Sequence, residues 1–111
     1  NRLLFPMIND AFALVEDGSS TPEDVDAVVE GSFGHPIGPI ALADLVGLDV
    51  TERIVESLAA ADPLLPRPSG LLRDLVRAGV LGRKSGRGAR DEGWAGRIPR
   101  GRKSGQEPGR P

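Results

Sequence analysis

One histidine, His35, sits in the stretch Gly34-His35-Pro36-Ile37-Gly38-Pro39. An imidazole can move protons or bind a metal, but either use needs companions. Protein metal sites need roughly three converging ligands, and here there is no cysteine and no second histidine to join it. A general base needs a carboxylate to orient its ring, and none is close in sequence. His35 therefore reads as a loop residue making local hydrogen bonds. The glycines beside it hint at a phosphate loop, yet the prolines remove backbone donors, the spacing fits no phosphate-binding fingerprint, and no strand precedes them. The acids Glu23, Asp24, Asp26 and Glu30 could hint at a cation site, but their spacing puts them mainly at the N-terminal end and solvated face of one helix, where capping explains them. Arginines crowd the end of the chain, and Trp94 could stack on a base. One aromatic is a thin platform for nucleic acid, so that role is disfavoured.

The elements that must position any site are helical. Leu4, Ile8, Ala11 and Val15 fall on one face of a first helix, in which Pro6 either lies in the first turn or bends the axis. Gly18 supplies the left-handed cap. Thr21-Pro22-Glu23-Asp24 is a strong start for a second helix, with a hydroxyl cap, a proline at the first position and acids on the positive end of the dipole. Gly31 and Gly34, with Pro36, break the chain into a loop. Gly38-Pro39 restarts it as a helix carrying Ile40, Leu42, Leu45 and Val46, which Gly47 closes. Asp49-Val50-Thr51-Glu52 reads as a capping box opening a fourth helix with Val50, Ile54 and Leu58 aligned. After a proline-rich connector over 62–68, Ser69 caps a fifth helix with Leu71, Leu72, Leu75 and Val76 inward, and Gly79 ends it. No segment alternates apolar and polar residues, so no sheet is expected.

At 111 residues the chain supports one core. No run reaches the ~18 apolar residues of a membrane span, and the first residues lack the order of a secretory signal, so a soluble protein is expected. Helical spacing is already running at Asn1-Arg2, which points to a piece of a longer protein. The net charge of −2 hides a split: residues 1–66 carry two basic groups against twelve acidic, and residues 67–111 carry twelve basic against four acidic. From Gly82 glycine, arginine and proline dominate, with only Trp94 and Ile98 as large apolar residues. That composition predicts disorder, because little burial is available to offset ordering entropy.

The segments Asn1-Arg2-Leu3-Leu4-Phe5-Pro6-Met7-Ile8-Asn9-Asp10-Ala11 and His35-Pro36-Ile37-Gly38-Pro39-Ile40-Ala41-Leu42-Ala43-Asp44-Leu45-Val46-Gly47-Leu48-Asp49, with Val80-Leu81-Gly82-Arg83-Lys84-Ser85-Gly86 later, resemble the C-terminal domain of 3-hydroxyacyl-CoA dehydrogenases, nearest to bacterial 3-hydroxybutyryl-CoA dehydrogenases. The resemblance implies an all-α bundle of about five helices, of the type of the C-terminal domain of 6-phosphogluconate dehydrogenase-like proteins, over residues 1–88. Residues 89–111 are then a divergent, disordered basic tail: where the family continues with Phe-Tyr, this chain has Ala89-Arg90.

The resemblance also implies the chemistry. An upstream Rossmann domain, outside this chain, binds NAD or NADP and supplies a His–Glu pair that takes the 3-hydroxyl proton as hydride leaves for the nicotinamide. The C-terminal domain supplies homodimer contacts and one wall of the acyl-CoA cleft. It also supplies an asparagine at the start of its first helix, the position Asn1 matches, which assists catalysis. Pro36, Gly38 and Pro39 are the candidate cleft residues, although a purely architectural role for that bend is favoured. No metal or membrane partner is implied, and the setting is cytoplasmic. The second reading is a non-catalytic helical dimerisation module.

Overall fold

The computed structural model describes residues 1–91, and these form five α-helices: α1 Leu4–Glu16, α2 Pro22–Phe33, α3 Pro39–Val46, α4 Leu48–Ala61 and α5 Gly70–Arg77. Among the described residues there is no strand, only an isolated bridge between Gly82 and Arg87. The helix α1 packs against all four others. Its Phe5, Ile8 and Phe12 meet Ile40, Leu48, Leu71, Leu72, Leu75 and Val80 in one core. Pro6 lies in the first turn of α1, where no backbone donor is required.

Most local signals hold. The Thr21 hydroxyl accepts from the Asp24 N–H at 3.1 Å, and the Ser69 hydroxyl from the Leu72 N–H at 3.2 Å. Three readings need correction. The fourth helix has no Asp49 capping box: it starts two residues earlier, capped at Gly47, whose φ of 111° ends α3 and launches α4 in a single residue. Thr51 Oγ1 donates to the Gly47 carbonyl at 2.9 Å, and Asp49 instead pairs with Lys84 Nζ at 2.6 Å. Gly31 does not break α2, which runs through it to Phe33 and stops at left-handed Gly34. The stretch 82–91 is ordered despite its composition. A 3-10 turn, Arg83–Ser85, follows Gly82, and Ser85 Oγ accepts from the Leu81 N–H at 2.9 Å. Hydrogen bonds supply there much of the order that apolar burial does not. Gly82 has a φ of +99° and lies so close to the Asp44 backbone that a Cβ would collide with it.

Packing continues past residue 88. Ala89 is buried, and the Asp44 carboxylate accepts from the N–H groups of Ala89 at 2.7 Å and Arg90 at 3.0 Å. Part of the charge split is thereby resolved inside the fold, since Arg67, Lys84 and Arg90 pair with Glu56, Asp49 and Asp26. The remainder of the basic tail, with Trp94 and Ile98, lies outside the described residues. Among the described residues no helix is long and apolar enough to cross a membrane.

The Lys84 hydrogen bond holds the Asp49 carboxyl below its ordinary value of 3.8. A depressed folded value contributes stability that is present above the unfolded value and lost as pH falls through the folded one. Replacing Lys84 with methionine should move the Asp49 titration up toward 3.8, as read from its side-chain carboxyl resonance. The stability difference between the two proteins should then shrink on acidification. Asp44 is the opposite case: burial raises its carboxyl, against the Ala89 and Arg90 N–H groups that lower it.

Candidate functional site

Asn1 stands at the start of the chain with its carbonyl accepting from the Phe5 N–H at 3.1 Å, so its backbone is tied to the first turn of α1 while its side chain is exposed. Beside it is a cleft of about 410 Å³ whose floor is α4. Val50, Ile54 and Leu58 line this cleft at helical spacing, flanked by Arg53 and Ser57. The α4 stripe legible in the sequence is thus only partly buried, and its open portion is an apolar strip with Asn1 at one margin. Such an arrangement can hold an alkyl chain by burial, while the amide, both donor and acceptor, fixes one oxygen of a polar head.

The other candidate residues are placed elsewhere. Pro36 is exposed in the loop between α2 and α3, whereas Gly38 and Pro39 are buried at the start of α3. None of the three lines the Asn1 cleft. A Cβ on Gly38 would collide with the Asp26 side chain and Cα, so glycine here lets α3 begin against α2. Gly38→Ala is expected to cost about 1–3 kcal/mol, as overpacked sites do, measured by the urea midpoint. The acids of α2 have unexpected work: Asp26 and Glu30 cap the next helix. The Gly38 N–H donates to Glu30 Oε2 at 2.9 Å, and the N–H groups of Ile40 and Ala41 donate to the two Asp26 oxygens at 2.8 and 3.0 Å. Asp26 is 1 % exposed, which corrects its placement on a solvated face.

His35 is exposed, and among the described residues no group of acids, histidines and cysteines could hold a metal ion. Nor do these residues fit a dinucleotide. A pyrophosphate cradle needs a strand leading into a helix with free N-terminal amides, and the amides of α3 are already committed to Asp26 and Glu30.

A second cleft of about 440 Å³ lies between α3 and the turn after Gly82, with Asp44, Arg83, Arg87, Arg90 and Asp91 on its walls. Nothing local in the sequence pairs position 44 with positions 83–91. The separation exceeds any motif spacing.

Comparison with known proteins gives these sites a family. Residues 1–92 match the model of the 3-hydroxyacyl-CoA dehydrogenase C-terminal domain. The chain is 47 % identical over 90 residues to a probable 3-hydroxybutyryl-CoA dehydrogenase of Deinococcus radiodurans, and 48 % identical over 92 residues to one of Bacillus subtilis. Those matches take in 79 % and 82 % of this chain but 32 % of each relative. The crystal structure of (S)-3-hydroxybutyryl-CoA dehydrogenase from Ralstonia eutropha superposes with a TM-score of 0.76 at 48 % identity, over 80 % of this chain and 32 % of that one. The chain therefore spans about a third of the length of these relatives, and it belongs to the family of 3-hydroxyacyl-CoA dehydrogenase C-terminal domains.

Proposed function

We propose that this chain is the substrate-side and dimer-forming domain of an NAD- or NADP-dependent (S)-3-hydroxyacyl-CoA dehydrogenase, which oxidises the 3-hydroxyl of short acyl-CoA thioesters of the 3-hydroxybutyryl class to the 3-oxo group. The setting is cytoplasmic fatty-acid β-oxidation or short-chain acyl-CoA metabolism. The cofactor and the base that takes the hydroxyl proton come from a Rossmann domain outside this chain. The observation that carries the reading is that Asn1 lines the apolar α4 cleft. A short acyl chain lies along Val50, Ile54 and Leu58, and the Asn1 amide holds an oxygen or the base in line for reaction. Pro36, Gly38 and Pro39 serve the cleft indirectly, by setting the angle at which α3 leaves α2.

A partner surface is supported by exposed apolar side chains. Leu3 and Leu64 are 89 % and 91 % exposed, and the Arg2–Asp62 ion pair at 2.8 Å brings their two segments together. A purely dimer-forming, non-catalytic module is the alternative. Joining this chain to an NAD-binding domain of the family separates the two. The joined protein should form NADH from (S)-3-hydroxybutyryl-CoA, and a well-folded joined protein without turnover would overturn the catalytic reading. Sedimentation at about tens of micromolar should show a dimer, the range in which modest interfaces assemble.

A further inference from the structure

Arg53 lines the Asn1 cleft and is exposed there. Residues 1–66 hold one other basic group, Arg2, and that one is paired with Asp62. On a helix the natural partners of Arg53 are the acids four positions before it and three after, Asp49 and Glu56. Both are taken from outside α4: Asp49 by Lys84 at 2.6 Å and Glu56 by Arg67 at 3.0 Å. Arg53 is left with no ion-pair partner among the described residues.

No acid stands among the residues lining the cleft, so its charge is not offset there. Ser57, one turn on from Arg53, adds an exposed hydroxyl on the same flank of α4. The cleft thus combines three chemistries: the Asn1 margin, the apolar strip of Val50, Ile54 and Leu58, and a guanidinium with a hydroxyl neighbour. A 3-hydroxyacyl group accounts for the first two. The third remains, because a chain ending in a methyl group gains nothing from a guanidinium and displaces water from it. A guanidinium fork matches the two oxygens of a carboxylate, and a serine hydroxyl beside it can donate to one of them.

We propose that Arg53 and Ser57 receive a carboxylate at the far end of the acyl chain, so that the cleft takes 3-hydroxyacyl thioesters whose chain ends in an acid. The inference rests on the dehydrogenase reading of the Asn1 cleft and adds to it the class of chain. Arg53 meets the substrate away from the carbon that is oxidised, so its part is in binding and specificity.

The test uses this chain joined to an NAD-binding domain of the family, with NADH formation followed for two substrates. These are (S)-3-hydroxyhexanoyl-CoA and its counterpart with a terminal carboxylate in place of the methyl group. The acid-ended substrate should show the higher kcat/KM. Arg53→Met, at an exposed position, should lower that preference by about tenfold, the effect of losing one charge-assisted hydrogen bond, with the loss in KM. Arg53→Lys keeps the charge without the fork and should lose less. Turnover of (S)-3-hydroxyhexanoyl-CoA with no preference for the acid-ended substrate, or a preference unmoved by Arg53→Met, would overturn this inference and leave the dehydrogenase reading standing. Turnover of neither substrate by a folded joined protein would overturn both.

Discussion

Alanine at position 26 is expected to destabilise the domain by about 2–4 kcal/mol, since each buried donor left without its acceptor costs about 1–3 kcal/mol. Three donors converge on the Asp26 carboxylate: the Ile40 N–H, the Ala41 N–H and Arg90 Nη1. Removing it leaves two backbone donors of a buried helix start and a guanidinium without an acceptor, and each of these is expensive to leave unmade. Asparagine should cost less, because its one carbonyl oxygen still satisfies part of the set. The variant Arg90→Met removes the charge from the other side. In the double variant D26A/R90M the penalties should be clearly less than additive, since the second change removes a group the first had stranded. Urea denaturation with unchanged slope and a lowered midpoint is the readout. A change of under about 0.5 kcal/mol for D26A, typical of surface positions, would show that the α2–α3–Arg90 junction does not hold the domain together.

That junction also marks the limit of what the sequence discloses. Caps formed by residues within three positions of each other were legible: Thr21 with Asp24, Ser69 with Leu72, and the left-handed Gly18, Gly34 and Gly79. Caps delivered across the fold were not. Asn9 donates to the Arg67 carbonyl and accepts from the Ser69 N–H, 58 and 60 residues away. Glu16 Oε1 accepts from the Leu71 N–H, 55 residues on. Asp44 holds Ala89 and Arg90 from 45 and 46 residues away. No spacing announces such a bond, because the partner is set by how α1 and α3 pack. Asp49 misled for the related reason that a residue able to cap locally found a stronger partner in Lys84. The ordering of 82–91 was hidden too, since composition reports apolar area but not the hydrogen bonds of Ser85 and Asp44.

The candidate site divides along the same line. The apolar spacing of Val50, Ile54 and Leu58 is visible in the sequence, but their partial exposure depends on what fails to cover α4. Asn1 is visible only through resemblance, for an asparagine before a helix has an ordinary explanation in any chain. Gly38 and Pro39 read in the sequence as candidate cleft residues with an architectural bend as the favoured role, and the closeness of Gly38 to Asp26 and the burial of Pro39 suit that role.

The proposed dehydrogenase role rests on the Asn1 amide, and Asn1→Ala in the chain joined to an NAD-binding domain of the family tests it most directly. An amide that acts on the developing charge or holds the base in line should be missed in the reaction step more than in binding. With (S)-3-hydroxybutyryl-CoA, kcat is predicted to fall by about 10²-fold, the scale for loss of one positioned donor, while KM changes little. An unchanged kcat in a folded Asn1→Ala protein would contradict the assignment and leave this domain without a side chain in the chemistry.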